Sequence, residues 1–514
     1  MWRRGEVVIT SSRRLLLVVA ALLVAVEFSW SLATPLFSAP DEQAHLIKAI
    51  ATVHGDLIGD EPSDPSYARQ PAYREVTVPR WVTQADPHCF AHRPEVPASC
   101  ATSMTDDRTT IRYLTYVGRY PPLYYAVVGW PTLVLSGTTA LYVARLCSGI
   151  ATALMLTVAF ASCRRLAARV GNGAMLGSAF LLTLTPMILF LGSAIQPSGL
   201  ECSSALAAWI GAIALATGQA PPTRGEVVAF VLPAAVLTSI RGLSPLFLAV
   251  IIATAALLAG RGRLRQLLAT RKAVIPALAV AAVSGVGIAF VALAHSVTLA
   301  GTRGYTGAGG RVLLDKVLGR LPELGNEAVG VFGNLDAHES QIAVVGWGIA
   351  VALLGALGLL QRWGRAQVLT ALFFLGVPTL MVVVESAQAR KVGFVTQARY
   401  YLPLALGALT LAAVASRGRS LAGRAMRALT VPIVCGVIAV QVFAFLFALR
   451  RSRTGVGHQL FAQHASWEPP VSALGLVITF GLSYAAFAVV VAVSCARVSQ
   501  RQEPSAAPAS SDRA

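Results

Sequence analysis

The sequence predicts an all-α integral membrane protein with about twelve transmembrane helices and a large first extracytoplasmic loop carrying short helices. Three observations predict it. Of 514 residues, 55% are hydrophobic and only 13% are charged, and the mean hydropathy is +0.64, a balance foreign to a soluble domain of this size. The apolar residues gather into runs of about 18 to 23, each long enough to cross about 30 Å of hydrocarbon. The arginines sit in short clusters between those runs, so the net charge of +18 follows the positive-inside pattern and argues against nucleic acid as a partner.

Residues 1–14 carry Arg3, Arg4, Arg13 and Arg14 and read as a cytoplasmic N-terminus. The apolar run at 15–37 has the basic flank of a signal peptide, but it continues to about Phe37 with no small-residue cleavage site of the usual kind, so it reads as a retained first transmembrane helix. Residues 38–138, rich in Pro, Asp, Arg and His, then form an extracytoplasmic loop. It ends in a juxtamembrane segment that begins Arg119-Tyr120-Pro121-Pro122-Leu123-Tyr124-Tyr125 and runs to near Ser136-Gly137. Whether this segment crosses the bilayer decides the topology of everything after it.

If it does not cross, spans fall at about 139–162, 174–194, 200–217, 226–240, 243–259, 273–295, 341–360, 367–385, 400–415, 429–449 and 473–495. The clusters Arg164-Arg165-Arg169, Arg261-Arg263-Arg265-Arg271-Lys272, Arg362-Arg365 and Arg417-Arg419-Arg424-Arg427 then all face the cytoplasm. If it does cross, all four move outside. The first arrangement is preferred, at the cost of leaving Arg390-Lys391 and Arg450-Arg451-Arg453 outside. In it, residues 139–495 form a multi-helix domain with an outer loop at 296–340, including Arg303, and 496–514 read as a disordered cytoplasmic tail. No internal repeat is visible. Five cysteines lie in or beside apolar runs, whereas Cys89 and Cys100 share the long outer loop, where an oxidising compartment favours a disulfide between them.

The chemistry centres on Ser38-Ala39-Pro40-Asp41-Glu42-Gln43-Ala44-His45-Leu46-Ile47-Lys48. Ser38 suits an N-cap, with Asp41 three residues on and Pro40 in the first turn, so a helix is expected to start here. Asp41, His45 and Lys48 then share one face, with Glu42 on a neighbouring one. An acidic first turn is what the helix dipole favours in any helix. A carboxylate pair beside the bilayer is in addition a functional candidate.

Three further places on the expected outer side carry polar chemistry: the turn Gln196-Pro197-Ser198-Gly199 with Glu201, the break at Arg241-Gly242, and the turn with Arg390, Lys391, Gln397, Arg399 and Tyr400-Tyr401. Each has a plain structural alternative. Glu201 suits a helix N-terminus, Arg241 can reach for headgroups, and Arg399 with Tyr400 suits an interfacial anchor. Phosphate-binding glycine loops, Cys-x-x-Cys pairs and His-Glu-x-x-His are absent, and Asp336, His338 and Glu339 make only an isolated loop motif. What remains is a set of carboxylates (Asp41, Glu42, Glu201) and a set of cations (Arg241, Arg390, Lys391, Arg399). Carboxylates take a proton from a hydroxyl or hold a divalent cation such as Mg or Mn, here with Asp41 and Glu201 as ligands, and arginine forks hold phosphate. Glycosyl transfer from a lipid phosphate needs both roles beside the bilayer.

The combination Pro40-Asp41-Glu42-x-x-His45, Tyr120-Pro121-Pro122-Leu123-Tyr124-Tyr125, Arg145, Thr185-Pro186-Met187, Gln196-Pro197-Ser198-Gly199 and Gln397-Ala398-Arg399-Tyr400-Tyr401-Leu402-Pro403 resembles the domain of unknown function 2142 family of bacterial membrane proteins, from about Pro35 to about Pro403. That family looks like the GT-C superfamily of polyprenyl-phosphate-sugar-dependent glycosyltransferases, which includes protein mannosyltransferases and aminoarabinose transferases. The resemblance implies a plasma-membrane enzyme, both termini cytoplasmic, that moves a sugar from a polyprenyl-phosphate carrier to a cell-envelope glycan, lipid or protein on the outer face. Asp41, or failing that Glu42, maps onto the acid of the first external loop and Glu201 onto that of the next. His45 would support the acid, Arg241 and Arg399 would clamp phosphate, and Lys48, Tyr124, Arg390, Lys391 and Tyr400 complete the expected substrate-binding set. Two departures are visible: the second acid is offset into Ser-Gly-Leu-Glu, and Ala398 stands where Gly is common.

Two other functions stay open. A transporter or flippase of lipid-linked intermediates predicts ionisable residues inside several spans, ideally in repeated halves, and the spans here read as nearly clean and unrepeated. A catalytically silent paralogue would act as a scaffold for envelope enzymes.

Overall fold

The computed structural model describes residues 2–67, 70–296, 304–305, 309–416, 421–457 and 465–500. Arg303, Arg417, Arg419 and the tail from residue 501 onward lie outside the described residues, as do the side chains of Arg3, Arg4, Lys272 and Arg424.

Helix α1 (Trp2–Ala33) is the first span and ends four residues before the expected Phe37, because Pro35 cannot continue it. Residues 34–136 then fold on one end of the bundle, termed here the loop face. They form α2 (Glu42–Val53), an antiparallel pair β1 (Arg74–Pro79) and β2 (Thr110–Thr115) running from Arg74↔Thr115 to Pro79↔Thr110, and α3 (Pro122–Gly129). The pair is a small addition to a chain that is otherwise mostly helical, as expected. In β1, Val76 and Val78 are buried while Thr77 is exposed, a two-residue period over four positions that is too short to stand out beside long apolar runs.

Whether residues 121–136 cross is answered by α3. Its 8 residues reach about 12 Å, far short of a bilayer. Leu123 and Val127 of this helix are exposed, as are Trp130 and Leu133 of the 3₁₀ turn that follows it and Val134 just after, while Tyr124, Tyr125 and Val128 are buried. The chain therefore enters α4 (Gly137–Val170) from the loop face.

From there it passes to and fro through α5 (Gly173–Thr183) and α6 (Pro186–Gly192), α7 (Pro197–Thr217), α8 (Arg224–Thr238), α9 (Ser244–Leu268) and α10 (Arg271–Leu293). On the loop face lie α11 (Gly310–Val329) and the short pair β3 (Val331–Phe332) and β4 (Ala337–His338). Helices α12 (Gln341–Leu359), α13 (Arg365–Val392), α14 (Leu402–Ala415), α15 (Leu421–Thr454) and α16 (Ala473–Gln500) complete the bundle. Among the described residues, nine helices are long and apolar enough to cross a membrane, and α5 with α6, bent by 58° where Pro186 drives Thr185 out of helical geometry, makes a tenth. Helices α8 and α14, with 15 and 14 residues, reach only about 21 to 23 Å. The expected twelve thus become nine or ten full spans and two short helices, of which α14 is buried by protein on almost every side.

The centre of the bundle is α7, buried nearly throughout and packed by α4, α8, α9 and α14. A second knot forms where Trp30 meets Phe190, Phe332, Phe445 and Phe480 with ring centroids 5.1 to 5.9 Å apart, tying α1, α6, β3, α15 and α16 together. The spans are less clean than the sequence suggests, since Glu27 in α1 and Arg145 in α4 are both fully buried.

The arginines divide by environment. At the end opposite the loop face, Arg169 pairs with Glu226, and Arg263 donates to the carbonyls of Leu215 and Ala220. Near the loop face, Arg451 is buried, pairs with Asp336 at 2.5 Å and donates to the carbonyls of Phe90, Arg93 and Val96. Arg453 pairs with Glu468. Cys89 and Cys100 are joined in a disulfide with Cα atoms 6.0 Å apart, so Arg451 and this bond hold the same loop.

Candidate active site

The helix of the Asp41 segment starts later than its sequence suggests. Glu42 is its first residue, and Asp41 is the N-cap in the left-handed region, φ 62°, with no side-chain capping bond. Asp is one of the few residues that tolerate this conformation. The Asp41 carboxylate is thereby released from its own helix and turned elsewhere: Oδ1 accepts from the Tyr116 hydroxyl at 2.7 Å and Oδ2 from Arg399 Nη2 at 2.5 Å. The Gln196 amide donates to the Pro40 carbonyl at 2.8 Å, fixing the corner against the turn before α7. One turn on, His45 Nδ1 bonds the Tyr125 hydroxyl at 2.9 Å.

Arg399 stands in a single 3₁₀ turn, Ala398–Tyr400, and its side chain is only 2% exposed. Nη2 meets Asp41, whereas Nε and Nη1 are buried without a hydrogen-bond partner among the described residues. Tyr400 lies between two guanidinium groups, Arg399 at 5.4 Å and Arg241 at 4.8 Å from its ring centroid. Arg241 also covers Tyr120 at 5.5 Å and donates to Ser198 Oγ at 3.1 Å. It reaches Glu201 at 3.4 Å, and the other Glu201 oxygen accepts from Ser244 Oγ at 2.6 Å. Asp41, Arg399, Tyr400, Arg241 and Glu201 therefore form one continuous chain of contacts, contributed by α2, the turn before α14, the α8–α9 turn and α7.

The approach to Glu201 depends on two glycines. A Cβ on Gly199 would lie 2.4 Å from the backbone of Gly192, so the end of α6 and the start of α7 close up only with glycine there.

Glu42 is placed differently. Its carboxylate is fully buried and binds Arg145 with both oxygens, Nε to Oε1 at 2.7 Å and Nη2 to Oε2 at 2.6 Å, and it also accepts from the Ile195 amide at 3.0 Å. Arg145 spends its other donors on the carbonyls of Ser31, Thr34 and Pro35 at 2.7 to 2.9 Å. All five guanidinium N–H groups are thus used. This is a closed clamp joining α1, α2, α4 and the turn before α7.

The remaining expected residues are scattered. Lys48 is buried and donates to the Leu57 carbonyl, and Tyr124 is buried against Ser148 Oγ at 3.1 Å. Arg390 and Lys391 are exposed in the last turn of α13, where cations suit the helix C-terminus. Asp41 and Glu201, the expected ligands of a divalent cation, are each paired with an arginine and a hydroxyl. Among the described residues no group of three or more His, Cys, Asp or Glu side chains is arranged for a metal. Tyr116 and Ser244 escaped sequence reasoning because nothing in their local pattern points to a carboxylate met only after folding. Arg145 did carry a signal, being a charge early in an apolar run.

The electrostatics follow from this packing. Burial raises the cost of ionising Asp41, but Arg399, His45 and the Tyr116 hydroxyl outweigh it and bring its carboxyl down to about 2. Burial, helped by Arg241 and Arg399 and opposed by Asp41, brings His45 down to about 3, so its imidazole is neutral at neutral pH. Burial and the adjoining Asp41 push the Tyr116 hydroxyl up, keeping it a donor. The corner accordingly presents an ionised carboxylate, a neutral imidazole and two arginines.

The family described as "Predicted membrane protein (DUF2142)" matches residues 22–408. No curated protein matches this sequence. Among solved structures, ArnT from Cupriavidus metallidurans bound to undecaprenyl phosphate is 14% identical with a TM-score of 0.44, covering 96% of this chain and 78% of that one. The apo state of ArnT from the same organism is 14% identical with a TM-score of 0.33, covering 97% and 78%.

Proposed function

The chain belongs to the DUF2142 family of predicted membrane proteins, and from the site that its loop face builds we propose that it is a membrane glycosyltransferase acting beside the bilayer. The donor is a polyprenyl-phosphate-linked sugar, the acceptor a hydroxyl of a cell-envelope glycan, lipid or protein, and the loop face is the outer face of the plasma membrane, with both termini cytoplasmic.

One observation carries this reading: Arg399 is buried, holds Asp41 with one N–H, and keeps Nε–H and Nη1–H without a partner among the described residues. Buried donors of this kind are costly unless something accepts from them, and phosphate oxygens suit a guanidinium best. Arg399 can take a phosphate on Nε and Nη1 without releasing Asp41. Arg241 adds a second charge across Tyr400, which favours the negative charge that grows on the leaving phosphate. Asp41, already ionised, accepts the proton of the attacking hydroxyl, and its Tyr116 bond orients it. Glu201 holds Arg241 in place.

Purified protein in lipid nanodiscs, given a panel of labelled polyprenyl-phosphate sugars and envelope acceptors, should transfer label, and Asp41→Asn should stop it. Full transfer by Asp41→Asn overturns the assignment.

A second reading, movement of a lipid-linked intermediate without bond chemistry, draws on Glu27. Its carboxyl is buried within α1 with neither oxygen partnered among the described residues, and ionisable groups at such depth mark transport pathways in many carriers. Flipping of a labelled polyprenyl phosphate in vesicles that is lost in Glu27→Gln and kept in Asp41→Asn would favour it.

A further inference from the structure

Behind the turn that carries Arg399 lies a cavity of about 210 Å³. Its wall includes Arg320, Glu323, Glu327, His338, Phe394 and Gln397. It shares a backbone wall with the site above: Gln397 stands two residues before Arg399, and Glu327 accepts from the Ala398 amide at 2.8 Å.

The donors and acceptors of this cavity are out of balance. Arg320, the cation of its wall, is already committed to Glu385 at 2.6 Å and to the Thr396 carbonyl at 3.3 Å, with Glu323 a further 3.6 Å contact. Gln397 Oε1, by contrast, is buried and accepts from nothing among the described residues. The Glu323 side chain is 52% exposed at the opening. A buried acceptor is thus left over in the wall, so the fitting ligand donates a hydrogen bond to it. In this wall the carboxylates of Glu323 and Glu327 stand with the guanidinium of Arg320, whose charge is already paired with Glu385, so the fitting ligand is also not an anion. Phe394 supplies an apolar wall suited to the C–H face of a ring.

We propose that this cavity is the acceptor subsite and that it holds a non-acidic pyranose by its hydroxyls. The inference rests on the reading of Asp41 and Arg399 as the transfer centre. The donor is excluded from the cavity because its phosphate would meet Glu323 and Glu327, whereas the free arginine donors lie on the other side of the turn.

The test uses the full chain in nanodiscs and saturation-transfer NMR with methyl glucoside, galactoside, mannoside, N-acetylglucosaminide and glucuronide. At least one neutral pyranoside should bind and the glucuronide should not. Glu323→Gln, at a half-exposed position where folding is little affected, and Gln397→Leu should each weaken that binding about fivefold, the effect of one lost hydrogen bond. Binding should persist with saturating undecaprenyl phosphate. Absence of neutral pyranoside binding, equal binding of the glucuronide, indifference to both substitutions or displacement by undecaprenyl phosphate each overturn the proposal. A separate arm keeps the two readings apart: Arg399→Gln should weaken undecaprenyl phosphate binding and leave the pyranoside signal, and failure of that arm alone counts against the transfer centre and not the cavity.

Discussion

Asp41 and Arg399 stand 358 residues apart in the chain and 2.5 Å apart across the loop face. Their pairing closes the structure over a site assembled from both ends of the family match. Because Arg399 is shared between Asp41 and the groups left free on its far side, the two residues should fail in different ways. Arg399→Gln should weaken undecaprenyl phosphate binding about 10- to 100-fold, the effect of charge-assisted hydrogen bonds worth about 1.5 to 3 kcal/mol. Asp41→Asn should leave that binding within about threefold while abolishing transfer, since a neutral amide cannot take a proton but fills the same space. Equal losses of binding in both variants, measured by titration of lipid into nanodiscs, would contradict this division.

Glu42 should behave as a structural residue despite its position next to Asp41. Glu42→Gln leaves Arg145 buried with a neutral partner and should cost about 3 to 5 kcal/mol of stability. Arg145→Leu should cost at least as much, because it takes a donor from the carbonyls of Ser31 and Thr34 and leaves Glu42 buried without its cation. Thermal unfolding in detergent followed by intrinsic fluorescence measures both, and a Glu42→Gln protein of normal stability with no transfer would instead mark Glu42 as the base.

The pH dependence of stability has a defined sign. The His45 imidazole binds a proton at about 3 in the folded chain against an ordinary 6.5, so below 6.5 the unfolded chain takes up protons that the folded chain refuses. Stability should therefore fall as pH drops from 6.5 toward 3. Asp41, at about 2 against 3.8, adds a loss in the same direction below pH 4. The unfolding temperature measured at pH 7 and pH 4.5 should drop in the parent and drop less in His45→Gln, which can still bond Tyr125. Equal drops would remove His45 as the cause.

Arg451 and the Cys89–Cys100 disulfide secure one loop by independent means. Closing the short loop between the two cysteines contributes about 3 kcal/mol by chain entropy. Arg451→Leu leaves Asp336 buried without its partner and should destabilise by about 3 to 5 kcal/mol. Limited proteolysis within residues 89–100 should become faster in Arg451→Leu and faster still after reduction. Unchanged cleavage in both would show that the loop is held elsewhere.

Much of this site was legible because its residues are polar where the chain is otherwise apolar. Asp41, Glu201, Arg241 and Arg399 stand at the ends of apolar runs, and their shared side of the membrane follows from counting runs and arginines. The direction of each side chain was not legible. Asp41 and Glu42 are neighbours with the same chemistry, yet a left-handed backbone at Asp41 sends one toward Arg399 and the other into Arg145. Tyr116 reaches Asp41 only because the β1–β2 pair brings the end of the loop back over α2. The outward arginines Arg451 and Arg453, awkward for a topology drawn from charge, are accounted for by their carboxylate partners Asp336 and Glu468, since a paired and buried cation no longer weighs as a free charge.

The end of α1 has a bearing on how the chain enters the membrane. Its last carbonyls have no helical donors of their own, and those of Ser31, Thr34 and Pro35 are filled by an arginine that lies 114 residues beyond Ser31. Until α4 is made, the first helix has an unfinished upper end. Without α1 and Glu42, Arg145 is an unpaired charge in an apolar helix, which weighs against its insertion. Each helix thus completes the other: α1 and Glu42 supply the acceptors that Arg145 needs, and Arg145 supplies the donors that the end of α1 lacks.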